Sequence, residues 1–212
     1  ASFLASSAKL LAGVKGLAGG KRPQDEFLVA CRKGDAHRVA QLLEAGQSAD
    51  ATDRDGDSAL QLACTYNRLE CVRVLLDANA SVQFTSVGMA SPLQIGVEKS
   101  QPGIVKALLA AKASVQGDQQ KKGKKQSPCG TLVDIAALRG DTSTECLELL
   151  LAAKASPDGG WSPKSFQKDA ASPPLAIAAL AGCVESVQVL LDAGARCDGF
   201  PFEMITNLAK GM

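Results

Sequence analysis

The side chains with the most reactive chemistry in this chain are one histidine and seven cysteines. His37 stands alone, and one imidazole cannot build a zinc centre, which takes about four ligands in a structural site or three in a catalytic one. The cysteines are odd in number and form no C-x-x-C pair, so zinc and disulfide frameworks are both disfavoured. They are Cys31, Cys64, Cys71, Cys129, Cys146, Cys183 and Cys197.

Most of these cysteines lie inside apolar helical runs, where a free thiol behaves as a small hydrophobic side chain. Such thiols are typical of a reducing intracellular compartment. A reactive thiolate needs a basic neighbour or a helix start, and only Cys129, beside a lysine run and ahead of a helix, approaches that setting. We therefore expect the cysteines to pack and not to react.

No other chemistry emerges from the motifs. The sequence has no G-x-S-x-G elbow, no G-x-x-x-x-G-K-[ST] phosphate loop and no H-E-x-x-H pair. Its formal net charge of +1 provides no chain-wide field for nucleic acid, and no apolar run approaches the roughly 18 residues of a membrane span. We expect no catalysis, no metal and no cofactor, and a function carried by a surface.

The elements that would build such a surface repeat along the chain. The segments LLEAGQS, LLDANAS, LLAAKAS, LLAAKAS and LLDAGAR begin at positions 42, 75, 108, 150 and 190. Their spacings of 33, 33, 42 and 40 residues indicate a 33-residue unit with two insertions. Only 4% of the residues are aromatic, so the core must consist of thin layers of Leu, Val and Ala.

The residue pattern of each unit predicts a short first helix, a tight turn, a longer second helix and a stop, which is the residue that ends the second helix. Ser58, Ser91 and Thr131 can cap the first helices, with Asp25 predicted in the same role in the first unit and Pro173 standing there in the fifth. The turns fall at Gly34, Asn67, Ser100, Gly140 and Gly182, and the stops at Gly46, Asn79, Lys112, Lys154 and Gly194. Most of these tolerate a left-handed backbone, whereas lysine there costs about 1 kcal/mol.

These units resemble ankyrin repeats, whose period is about 33 residues and whose first helix carries T-P-L-H-x-A. SALQLA, SPLQIG, TLVDIA and PPLAIA follow the motif at 58, 91, 131 and 173, and DEFLVA at 25 is a degenerate copy. Every copy lacks the motif's histidine, so the resemblance leaves open whether the hydrogen-bond bracing of that histidine is present. The resemblance implies an all-α ankyrin-repeat solenoid of five stacked helix-turn-helix units with two inter-repeat insertions.

The predicted organisation has three parts. Residues 1–22 form an amphipathic N-terminal segment or cap, residues 23–198 hold the repeats, and residues 199–212 form a C-terminal cap. The repeat boundaries fall at about 23–55, 56–88, 89–127, 128–170 and 171–198. Residues 1–22 are basic and contain no acid, so docking on a partner, contact with a membrane surface and a remnant of organelle targeting are alternatives to a cap.

The resemblance also implies where a partner binds, because the fingers between repeats and the first helices line the concave surface of an ankyrin stack. Arg54, Phe84 and Met89 lie in the predicted fingers and are candidates, although Phe84 could equally be core. The first insertion adds Lys121, Lys122, Lys124 and Lys125. This run predicts either a solvated loop or contact with phosphate or acidic protein, and it lacks the aromatic residues typical of single-strand binding.

The second insertion carries the only tryptophan, Trp161, together with Phe166 in a polar, proline- and glycine-rich loop. Tryptophan commonly anchors interfaces, but Trp161 could instead cover its own repeat. The sequence therefore predicts a non-catalytic scaffold or adaptor subunit of a larger assembly. The alternatives are a regulatory or inhibitory subunit of an enzyme and a weak nucleic-acid or anionic-surface binder. The basic N-terminus favours an organelle interior over the cytoplasm.

Overall fold

The computed structural model describes residues 23–83, 90–115, 131–159 and 173–196. These ranges contain ten α-helices in five pairs and one short 3-10 helix, Gly140–Ser143. In chain order the helices are α1 Pro23–Lys33, α2 Ala36–Glu44, α3 Ala59–Thr65, α4 Leu69–Asp77, α5 Pro92–Glu98, α6 Pro102–Ala110, α7 Leu132–Arg139, α8 Thr144–Ala152, α9 Pro174–Leu180 and α10 Val184–Asp192.

The pairs stack in two layers. Each first helix packs on the next first helix, in the order α1, α3, α5, α7 and α9, and each second helix packs on the next second helix. The described residues contain no strand and only one isolated bridge, between Thr52 and Ser58. The predicted all-α fold of stacked helix pairs is therefore confirmed.

One aliphatic core runs between the two layers. In each unit the first helix contributes a Leu and a small residue, and the second contributes the Leu that opens the LL segment or its neighbour. Leu60, Leu75, Leu93, Leu108 and Leu150 are at most 1% exposed. Phe27 is the one aromatic side chain in the core of the described residues, as expected for layers too thin to hold large rings.

All ten predicted turn and stop positions have a positive φ. The stops share one hydrogen-bond pattern, in which two successive amides after the helix donate back to carbonyls near its end. In the third unit Lys112 N–H donates to Leu109 O and Ala113 N–H donates to Leu108 O, both at 3.0 Å. Lys112 and Lys154 therefore hold φ values of 62° and 66°, which side-chain-bearing residues rarely adopt.

Three of the predicted caps are confirmed. The hydroxyls of Ser58, Ser91 and Thr131 each accept a hydrogen bond from the backbone amide three residues on. The prediction for Asp25 was wrong, because α1 begins at Pro23 and Asp25 lies inside its first turn. Proline suits a helix start because its fixed φ is helical and its missing N–H has no partner there anyway.

Several predictions fall outside the described residues. They concern residues 1–22, both insertions and the C-terminal segment 199–212, so the proposed cap, loops and domain boundaries there stay predictions. None of the helices in the four described ranges is long and apolar enough to cross a membrane.

Candidate partner-binding face

The finger of the second unit, residues 51–57, is shaped by its own side chains. Asp53 Oδ1 accepts hydrogen bonds from the amides of Asp55 at 3.0 Å and Asp57 at 2.9 Å, and Asp53 N–H donates to Asp57 O at 2.9 Å. These bonds close a tight loop and place Arg54 and Asp55 at its exposed tip. A carboxylate that organises its own turn explains why Asp occupies this position.

Two contacts attach this finger to the first unit. Arg32 in α1 forms an ion pair with Asp53, with 2.6 Å between Nη2 and Oδ2, and Gln24 Nε2 donates to Thr52 O at 2.7 Å. Between the finger and α1 lies a groove of about 270 Å³ with Leu28 at its apolar floor. The full lining is Asp25, Leu28, Val29, Arg32, Asp53, Arg54 and Asp55.

Three acidic and two basic side chains line this groove beside Leu28 and Val29. Asp57 lies in the same finger but is not part of the lining. Partial burial raises the pKa of Asp57, and the neighbouring charges of Asp53 and Asp55 raise it further, while Arg32 lowers it. The groove therefore carries charges of both signs around a mostly apolar lining. Within the described ranges no group of three or more His, Cys, Asp or Glu is arranged to hold a metal ion.

The exposed apolar side chains are distributed unevenly between the two layers. Val29, Tyr66, Leu138 and Leu180 are the large hydrophobic side chains that the described residues expose, at 37%, 48%, 56% and 65%. All four lie on the first helices or, for Tyr66, at the residue that caps α3. We call the exposed side of α1, α3, α5, α7 and α9, together with the finger 51–57, the first-helix face.

The two most exposed leucines occupy the same register in neighbouring units. Leu138 and Leu180 each lie two residues beyond the small residue that ends the T-P-L-H-x-A copy. The first three units place Arg32, Thr65 and Glu98 at this position. Polar residues thus serve the fold equally well here, and leucine in two adjacent units makes a local apolar ridge.

Hydrogen bonds between units fix how one pair sits on the next. Gln61, which stands where the ankyrin motif has histidine, is 1% exposed and bonds in two directions. Its Oε1 accepts from Ser58 N–H at 2.8 Å and its Nε2 donates to Ala90 O of the next unit at 2.8 Å. This junction therefore is braced without the histidine, because the glutamine amide supplies both an acceptor and a donor.

A second type of junction bond recurs at both ends of the stack. Asp50 Oδ1 accepts from Ser81 N–H at 2.7 Å, and Asp158 Oδ1 accepts from Arg196 N–H at 2.7 Å. Both aspartates lie eight residues after the start of their LL segment, and both donors lie six residues after the next one. The fourth and fifth helix pairs are thus joined in the same way as the first and second.

The described cysteines behave as packing residues. Cys31, Cys64, Cys71 and Cys146 are buried, and Cys183 is half-buried. Burial raises the pKa of Cys31 and of Cys64 to about 12, so both are neutral thiols at physiological pH. His37 is exposed, with 2.9 Å between its Nε2 and Gln41 Nε2.

This geometry defines a class of protein, a repeat of helix pairs in which the face of the second helices is polar and the first-helix face is partly apolar. Residues 27–120 match the family model for ankyrin repeats in three copies. Residues 27–120 therefore form ankyrin repeats, which are generally protein-interaction modules. No curated protein matches the chain.

Only one of the partner-binding candidates from the sequence lies in the described residues. Arg54 sits at the exposed finger tip on the rim of the groove. The others lie outside the described ranges and stay predictions: Phe84, Met89, Lys121, Lys122, Lys124, Lys125, Trp161 and Phe166. Sequence reasoning missed Leu138 and Leu180, although an apolar residue in a register that is polar in other units was a usable signal.

Proposed function

We propose that this chain is a non-catalytic scaffold or adaptor subunit that binds another protein through its first-helix face. The observation that carries the proposal is the uneven distribution of exposed apolar side chains. In the described residues, all four large ones lie on the first-helix face and none on the second helices. Exposed apolar clusters of this kind typically mark interaction sites.

The second helices have the surface expected of a face in contact with water. Their exposed positions carry residues such as Glu70, Arg73, Lys106, Glu148 and Gln188. Charged residues are depleted in the centres of protein interfaces. The contrast between the layers therefore supports binding through one face and solvent contact through the other.

We also propose a reducing intracellular compartment, with an organelle interior favoured over the cytoplasm. The support is the role of the thiols, since four of the five described cysteines are buried as ordinary core residues. The basic, acid-free segment 1–22 is the reason for favouring an organelle. Imaging of the tagged full chain in its source cells tests this part.

Site-specific photo-cross-linking tests the binding role without assuming any partner chemistry. A photoreactive residue is placed in turn at Val29, Tyr66, Leu138 and Leu180, and the full chain is irradiated in an extract of its source cells. We expect one discrete cross-linked protein from these positions. The matched positions on the second helices are Glu70, Lys106, Glu148 and Gln188, and we expect little cross-linking from them. Equal cross-linking from both faces would contradict the proposal.

A further inference from the structure

The fifth unit has an apolar side that is less buried than the same side of the other four. Every second helix holds one aliphatic side chain three residues before its LL segment. This side chain is completely buried in the first four units and only half-buried in the fifth. The residues at this register are Val39, Val72, Val105, Leu147 and Val187.

The first helices show the same difference. The residue directly after each copy of the motif is completely buried in the first four units, whereas Ala179 of the fifth is 9% exposed. The four earlier residues at this register are Cys31, Cys64, Val97 and Ala137. Both helices of the fifth unit therefore lose cover on one side.

The first unit shows which neighbour normally provides this cover. No described unit precedes it, yet Cys31 and Val39 are completely buried. Their cover therefore comes from the following unit, because α1 packs on α3 and α2 packs on α4. We call the side of the fifth unit that carries Ala179 and Val187 the end face. No unit among the described residues follows it.

The sequence places a further copy of the motif at the distance that a following unit requires. Ser58 and Ser91, which cap first helices, each follow the start of the preceding LL segment by 16 residues. The same distance from the LL segment at 190 leads to Thr206. The letters from 206 are TNLAKG, with a capping residue first, Leu208 third and Gly211 last.

The third position of the motif is the most deeply buried one. Its five described residues are at most 1% exposed, and Leu208 stands at this register. Those five are Phe27, Leu60, Leu93, Val133 and Leu175. A glycine at the last position has a precedent in Gly96. Lys210 departs from the pattern, since the other units have Val, Leu or Ile there, but a lysine stem can lie on apolar surface with its ammonium in water.

We infer that residues 206–212 form the first helix of a sixth repeat unit and that this helix covers the end face. Residues 197–212 lie outside the described ranges. So short a helix is not stable alone in water, so contact with the fifth unit must stabilise it. Leu208 is then its buried anchor, whereas Met204 falls in the finger before it. The end face is separate from the first-helix face, so this assignment is independent of the proposed binding role.

Hydrogen exchange of the full chain, followed by mass spectrometry, tests the assignment. We expect Leu208→Ser to speed exchange in α9 and α10 by at least about tenfold, with little change in α1 to α4. Met204→Ser is the matched control. It removes an unbranched apolar side chain from the same segment but outside the core register, so exchange in α9 and α10 should change little.

Two variants at the cap register test the alignment without removing an apolar side chain. Thr206→Ala should speed exchange in α9 and α10 by less than Leu208→Ser, because it removes only the capping oxygen. Thr206→Ser keeps that oxygen and should behave like the original chain. Circular dichroism confirms that the rest of the stack is folded in each variant.

The assignment is overturned if Leu208→Ser leaves exchange in α9 and α10 unchanged, or if Met204→Ser speeds it equally. It is also overturned if a second copy of the chain covers the end face. Light scattering would then show a dimer that Val187→Lys dissociates and Leu208→Ser does not. Photo-cross-linking through the first-helix face would be unaffected by any of these results.

Discussion

Replacing Lys112 and Lys154 by glycine is expected to stabilise the protein. Both lysines end a helix in the left-handed conformation, with φ of 62° and 66°. The equivalent residues of the first and fifth units are glycines with the same pattern of hydrogen bonds. All five stops therefore share one backbone geometry but differ in whether a Cβ must be accommodated.

The expected change in the free energy of unfolding is the difference between two opposing effects. A residue with a Cβ costs about 1 to 2 kcal/mol in the left-handed region. Glycine also lowers the free energy of unfolding by about 0.4 to 1 kcal/mol, because it makes the unfolded chain more flexible. We expect a net gain of about 0.5 to 1 kcal/mol for each substitution, and a rise of about 2 to 8 °C in the melting temperature of the double variant. Additivity is expected because the two sites are in different units.

Urea unfolding followed by circular dichroism measures the gain, and two controls isolate its cause. Lys112→Ala removes the same charge but keeps the Cβ, so it should give no gain. Lys106→Gly makes the same exchange at an exposed position inside α6 and should destabilise by about 1 kcal/mol. The reasoning is refuted if Lys112→Gly is no more stable than Lys112→Ala.

Three further substitutions test specific contacts. Gly140→Ala should cost more than about 2 kcal/mol, because the added Cβ overlaps Cys183 Sγ and the backbone φ is positive; the same change in a Cys183→Ala background should cost measurably less. Gln61→Met should cost about 2 to 4 kcal/mol in a urea titration, since it leaves a buried amide and a buried carbonyl without partners. Burial raises the pKa of Asp134, so the unfolding free energy should fall as pH rises from the ordinary aspartate value through the raised one. Asp134→Asn should lack that fall, and parallel pH profiles from about pH 3 to pH 7 would contradict this.

The repeat spacing and the turn residues were predictable because their causes are local. A left-handed turn needs a residue that tolerates positive φ, and the register of the LL segments located all ten such positions. The same local reasoning failed at α1, where Asp25 was taken as the cap although Pro23 already marked an earlier start. Pro23 and Asp25 each indicate a helix start, and in the structure the helix begins at Pro23.

The bonds between units were less predictable because they depend on three-dimensional packing. The sequence left open whether Gln61 replaces the bracing of the motif's histidine. The Gln61 amide reaches the carbonyl of Ala90, which is 29 residues away in sequence. Nothing in the local pattern around Gln61 indicates that this carbonyl lies within its reach.

The two exposed leucines were missed for a related reason, since leucines in a helical repeat are ordinarily assigned to the core. Leu138 and Leu180 are more than half exposed, so they contribute little to the folding of the stack. Arg32, Thr65 and Glu98 occupy the same register in units that stack equally well. Packing therefore does not explain the two leucines, whereas the proposed binding of another protein does. A loss of binding without a loss of stability on their replacement is the result that separates these two roles.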